Sequence, residues 1–222
     1  MRSLAILLIS LLATSASAAG VSINFDTDAA GNPLTVPAAF LETVALTNEY
    51  APLGVTFAGP GTISGGSILN VDSNFGVPAR SGMNFLAFNR EATNMDGGLA
   101  IDPQTILFST AISDFSIWAA GGTAEFGNTS ELEFTAEGYR GSTLVAAQSV
   151  TASNSYEELS LSNPLGFDRV VLTESGNQTF VYDDLSFETT DQAVPEPASI
   201  VVWVLMVAMA ICVRKRGREA IV

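Results

Sequence analysis

The sequence predicts an all-β ectodomain, a β-sandwich or barrel, between an N-terminal signal peptide and one C-terminal hydrophobic helix. Two observations carry the β assignment. Short runs of about five to eight residues, rich in Val, Ile, Thr and Phe, alternate or stay apolar, as half-buried or buried strands do. Between them recur Gly, Pro, Asn and Ser, the residues that make turns, as at Gly65-Gly66, Gly97-Gly98 and Gly121-Gly122. A third observation sets the limits: both chain ends carry long apolar stretches that do not belong to the folded unit.

The runs follow in order. Val21-Ser22-Ile23-Asn24-Phe25 alternates strictly, and so does the region around Gly54-Val55-Thr56-Phe57. Ser67–Val71, Asn84–Phe88, Thr105–Phe108 and Ile112–Ala119 come next. Glu131–Ala136, Thr143–Val150, Tyr156–Leu161, Asp168–Thr173 and Phe180–Phe187 complete the set. Such spacing predicts many short antiparallel strands. The best helix candidate is Ala38–Tyr50, a short one at most, because it is rich in β-branched residues and lacks caps. There is no internal repeat.

At the N-terminus, Met1-Arg2 is followed by an apolar run from Leu4 to Leu12 and then by Ala16-Ser17-Ala18. A positive start, a short apolar stretch and an Ala-x-Ala site define a secretory signal peptide over residues 1–18, a substrate for signal peptidase. At the other end, Ala198–Val213 runs sixteen residues without a charge and meets Arg214, Lys215, Arg216 and Arg218. That length lies just under the roughly 17–25 residues of a usual span. The basic cluster belongs on the cytoplasmic side, so the chain is expected to run N-out, C-in.

The ectodomain is assigned to residues 19–188, with a polar, acidic linker at 189–194. Between residues 19 and 194 there are 21 acidic side chains and four basic ones, Arg80, Arg90, Arg140 and Arg169. This balance argues against nucleic acid as a partner and against adsorption to anionic lipid. The sole cysteine, Cys212, sits in the hydrophobic tail, so the exported part has no disulfide, and histidine is absent. Without histidine neither a Ser-His-Asp nor a Cys-His arrangement can be built. Zinc would need carboxylates alone, and no glycine loop for phosphate occurs. Glu131 and Glu133 share one face of a strand and are read as a solvent-facing pair rather than as glycosidase carboxylates.

The C-terminal residues carry a resemblance. Val194-Pro195-Glu196-Pro197-Ala198-Ser199, a hydrophobic helix and Arg214-Lys215-Arg216 stand in that order, so residues 195–218 resemble the PEP-CTERM sorting signal of Gram-negative bacteria. The resemblance implies handling by exosortase, a membrane processing enzyme that removes the tail near the motif. It also implies hosts that make exopolysaccharide or biofilm matrix. The chain is then expected at the inner membrane transiently, and afterwards at the cell surface or in the extracellular matrix. Chemistry suits the role, since two prolines hold the motif extended and clear of the helix. The alternative is a plain C-terminal anchor.

The ectodomain has its own looser likeness. Val21–Asp26, Asn48–Phe57 and Val181–Phe187 are similar to segments of exported jelly-roll domains of the galactose-binding-like, carbohydrate-binding type. That likeness implies that the first and last strands lie together and that Asp26 with Asp183 and Asp184 holds a structural calcium. Alternation along a strand would turn Asp183 and Asp184 to opposite faces, leaving only one of them at such a site. The acidic turns Asp102-Pro103 and Asn94–Gly98 are read as turns. Trp118, Tyr139, Tyr156 and Phe75 are candidates for stacking on sugar rings, with core packing the competing role for Trp118. The sequons Asn128-Thr129-Ser130 and Asn177-Gln178-Thr179 are read as coincidental in the bacterial setting that the tail implies. Three functions are therefore weighed: a non-enzymatic surface or matrix protein, a calcium-stabilised carbohydrate-binding module, and a hydrolase. No ligand is identified.

Overall fold

The computed structural model describes residues 20–36, 44–58, 66–70, 76–87, 103–122, 131–176 and 180–190. The signal peptide, the Pro195-Glu196-Pro197 motif, the hydrophobic helix and the basic cluster Arg214, Lys215, Arg216 lie outside these residues. So do Phe75, the turn at Asn94–Gly98, Asp102 and both sequons.

Ten strands appear in the described residues: β1 (Gly20–Ile23), β2 (Val44–Ala45), β3 (Val55–Ala58), β4 (Ser67–Asn70), β5 (Asn84–Ala87), β6 (Gln104–Gly121), β7 (Leu132–Arg140), β8 (Thr143–Ala152), β9 (Glu157–Glu174) and β10 (Phe180–Thr189). Every pairing is antiparallel, in the order β2-β4-β5-β10-β6-β9-β7-β8, with β1 also on β10 and β3 also on β6. No α-helix occurs among the described residues. The expected helix at Ala38–Tyr50 is corrected over its described part: Val44–Ala45 is strand β2, and turns lead to a 3-10 turn at Ala51–Leu53. The proline at position 52 and the left-handed Gly54 (φ 85°) limit that turn to three residues.

β6 and β9 fold this continuous sheet into two layers. In β6 the buried positions are even, Ile106 and Phe108, then odd, Phe115, Ile117 and Ala119, with register shifts between Leu107 and Asp114. In β9 they are odd, Leu159 and Leu161, then even, Val170 and Leu172. Each phase change marks a bulged bend that moves the strand from one layer to the other. The front layer is β2-β4-β5-β10 with β1, the second half of β6 and the first half of β9. The back layer is β3, the remaining halves of β6 and β9, then β7 and β8.

The layers close on an aromatic core. Phe134 of β7 meets Phe180 and Tyr182 of β10 edge-on, each at 5.9 Å between ring centres. Phe108 meets Phe187 at 5.0 Å and Phe115 at 6.2 Å. All of these rings are buried, and their edge-to-face geometry adds to the area they remove from water. A smaller cluster, with Leu69, Phe85, Ala120 and Val181, lies on the outer side of the front layer beside Val77, Ala79 and Tyr156.

Candidate functional site

The first and last strands do lie together: β1 pairs β10 from Gly20↔Glu188 to Ile23↔Leu185. Asp26, Asp183 and Asp184 then act on one segment, residues 80–84. Asp183 Oδ2 accepts hydrogen bonds from the backbone N–H of Arg80 (2.8 Å) and Ser81 (3.2 Å), and its Oδ1 accepts the Asp184 N–H (2.7 Å). Asp184 pairs with the Arg80 guanidinium and accepts the Ser81 hydroxyl at 2.6 Å. Asp26 Oδ1 accepts the N–H groups of Met83 (2.9 Å) and Asn84 (3.1 Å).

Alternation is broken at the acidic pair. Asp184 has φ 46°, and the β10–β6 register shifts between Asp183 and Ser186. A left-handed residue in the bulge lets Phe180, Tyr182, Leu185 and Phe187 all reach the core while both carboxylates stay outside it. The expectation of opposite faces is thus corrected, and both acids grip the same loop. Gly82 shows why the loop fits so closely: at φ 59°, a Cβ there would lie 1.7 Å from Asp26 Oδ2.

Among the described residues, no three acidic, histidine or cysteine side chains come together as a metal site. Calcium takes about six to eight oxygen ligands. Of the six oxygens of these three carboxylates, only Asp26 Oδ2 is buried without a hydrogen-bond partner, and by itself it falls short of that donor set.

Asp183 is fully buried, and desolvation is the main reason its carboxyl is pushed up to about 7, with the adjacent Asp184 charge adding to it and the loop N–H groups opposing. Burial likewise raises the Tyr156 hydroxyl, helped by Asp183 and Asp184. The Arg80 guanidinium lies 3.7 Å from the centre of the Trp118 ring, covering one face of it. Tyr139 sits on the back layer with Arg169 at 4.4 Å over its ring and its hydroxyl donated to Glu137 (2.6 Å). Tyr139 on the back layer and Trp118 on the front layer therefore share no platform. Glu133 is exposed on β7, tied through its backbone to Ser175.

A different arrangement occupies the open half of the front face. Ser22, Ser186, Ser116 and Ser160 are cross-strand partners in sequence across β1, β10, β6 and β9, making a ladder of four hydroxyls. Ser116 and Ser186 are 2.9 Å apart. Beside the ladder runs the row Gly20, Glu188, Asp114 and Ser162. Together they line a groove of about 620 Å³ whose lining, among the described residues, includes two carboxylates and no basic side chain. Trp118 stands two residues beyond Ser116, on the same face of β6.

Sequence reasoning missed this ladder. Each member sits in an apolar-Ser-apolar triplet: Val21-Ser22-Ile23, Phe115-Ser116-Ile117, Leu159-Ser160-Leu161 and Leu185-Ser186-Phe187. That repetition was a readable signal; the register that joins the four was not.

No family model matches the chain, and no curated protein matches it. Among solved structures, it is similar to the K1 cleaved adhesin domain of Lys-gingipain from Porphyromonas gingivalis W83 (9% identity, 77% of this chain and 98% of that one, TM-score 0.43). It is also similar to the K2 cleaved adhesin domain of Lys-gingipain (13%, 77% and 100%, 0.43) and to a xylan-binding domain from CBM 22 (16%, 71% and 100%, 0.38). At these scores none of the likenesses assigns a ligand or an activity to this chain.

Proposed function

We propose that this chain is an exported, non-enzymatic β-sandwich module that binds polysaccharide along the serine ladder. One observation carries the reading: an open groove on a sheet face, lined by four hydroxyls in register and flanked by Asp114 and Glu188. Sugar hydroxyls are both donors and acceptors, and a row of serines with carboxylates beside it offers both in return. Asp114 and Glu188, with no basic side chain among the described lining residues, favour neutral or cationic glycans over polyanionic ones. Catalysis is not part of the reading, since the chain has no histidine, the commonest general base, and the groove carboxylates Asp114 and Glu188 are neighbours in one row beside the serines rather than groups facing each other across a cleft.

The sorting reading stands with it. The tail from Pro195 to Arg218 delivers the chain to the inner membrane, N-out and C-in, where an exosortase-type enzyme releases it to the surface or the exopolysaccharide matrix. Pro195-Glu196-Pro197 is the processing motif, and Arg214, Lys215 and Arg216 stop transfer.

Affinity electrophoresis of the full chain tests the groove. Gels containing a neutral β-glucan or partly deacetylated chitosan should retard it, alginate gels should not, and Ser160→Arg should abolish the retardation. Equal mobility in all gels would sink the glycan reading. Mass spectrometry of the mature protein from its host tests the tail: a C-terminus near Pro195 is expected, whereas one at Val222 means a permanent anchor.

A further inference from the structure

The serine groove has an aromatic ring beside it, and that ring is covered. Along β6, Phe115, Ile117 and Ala119 turn into the core, so Asp114, Ser116 and Trp118 form one outward column. Trp118 stands about 7 Å along the strand from Ser116. Its cross-strand neighbours are Asp183 on β10 and the exposed Glu158 on β9. The ring is half-buried and belongs to neither of the two buried clusters.

Arg80 supplies the cover, with its guanidinium 3.7 Å from the ring centre. That side chain is 36% exposed and pairs with Asp184. Because the covering group itself stands in water, the ring face beneath it is an outward one. The loop is fixed by its backbone and not by this side chain. Asp183 holds the N–H groups of Arg80 and Ser81, and Asp26 holds those of Met83 and Asn84. Gly82 leaves no room for movement against Asp26. Side-chain rotations of Arg80 alone are therefore enough to bare the ring.

Magnitudes decide whether the cover can leave. A cation over an exposed ring and a partly exposed ion pair each favour the closed position by only about two- to fivefold. A pyranose laid on the indole removes C–H surface of both partners from water, an effect of the same order or larger. The two occupants of this face are thus close in free energy, as a displaceable cover requires. We propose that Arg80 is a lid over the Trp118 ring, which a glycan seated on the serine ladder must displace to stack there. The inference rests on the reading of the groove as a glycan site. It makes Arg80 a residue that lowers affinity, and Asp184 the group that holds the lid shut.

The test uses the full chain and two readouts. The first is affinity electrophoresis against graded concentrations of a neutral β-glucan or partly deacetylated chitosan. Arg80→Ala should tighten binding about three- to tenfold, and Trp118→Ala should weaken it by a similar factor. Asp184→Asn should tighten it by less, and asparagine tolerates the left-handed φ there. In a Trp118→Ala background, Arg80→Ala should change nothing. The second readout needs no glycan. The chain has two tryptophans, so Trp203→Phe leaves Trp118 as the sole reporter, and Arg80→Ala should raise its quenching by acrylamide. Gly82→Val is no test of the lid, because it forces the loop backbone against Asp26, beside β1 and the ladder. Retarded wild type with an Arg80→Ala variant that binds equally or more weakly overturns the lid alone, and so does a gain that survives Trp118→Ala. Unchanged acrylamide quenching overturns it as well, since the ring was then never covered. No retardation of any variant removes the glycan reading and the lid with it.

Discussion

The two outer faces of the sandwich are built partly from the same strands and differ in chemistry. On the front, β6 and β9 present Ser116 and Ser160; on the back, the same strands present Leu107 and Arg169. Their inner faces are alike, with Ile, Leu, Val and Phe throughout. The difference comes from the bends at residues 108–114 and 162–167, which let one strand serve two layers and so face two environments. A hydroxyl ladder beside carboxylates suits a hydrated ligand.

The change expected to disturb both faces at once is Phe134→Ala. It removes the ring that meets Phe180 and Tyr182 between the layers, and should cost about 3–5 kcal/mol in denaturant unfolding. A substitution confined to the front comes next. Gly82→Val forces a side chain onto the Asp26 carboxylate at a left-handed φ and should cost about 2–3 kcal/mol. It should weaken glycan retention.

A smaller, pH-dependent effect separates the acids of the clamp. Asp183 holds its proton up to about pH 7 when folded and releases it near 3.8 when unfolded. The folded state therefore binds more protons between these values, so this group's contribution to stability is fully present below about pH 4 and is lost as the pH rises through 7. Melting temperature should fall from pH 5 to pH 8, and Asp183→Asn should flatten that fall. An unchanged slope would show that the carboxyl is not desolvated as its burial indicates. The smallest effect concerns cations. If Asp26, Asp183 and Asp184 act through hydrogen bonds and Arg80 alone, EDTA leaves the melting temperature unchanged; a fall on chelation would put a calcium against Asp26 Oδ2.

Much of the strand pattern was legible because alternation and turn residues record burial directly. Val21–Phe25, Asn84–Phe88 and Phe180–Phe187 fall on β1, β5 and β10 within a few residues. Thr105–Phe108 and Ile112–Ala119 looked like two strands because Ser109-Thr110-Ala111 interrupts the pattern; they are halves of β6. Ser162-Asn163-Pro164-Leu165-Gly166 hid the continuity of β9 in the same way. The opposed facing of Asp183 and Asp184 followed from regular pleating, which the left-handed Asp184 abolishes. Trp118 was noticed, but the guanidinium over it comes from a loop 38 positions earlier in the chain. The serine ladder needed the register of four strands, three of them distant in sequence, and local patterns carry no such information.

Hydrogen–deuterium exchange of the full chain, with and without the polysaccharide that retards it, tests the central claim most directly. The account predicts slowed exchange in β1, in β6 from Ser113 to Trp118, in β9 from Glu157 to Ser162, and in β10 around Ser186. Slowed exchange confined to β7 and β8, or none on the front layer with the glycan bound, would contradict it.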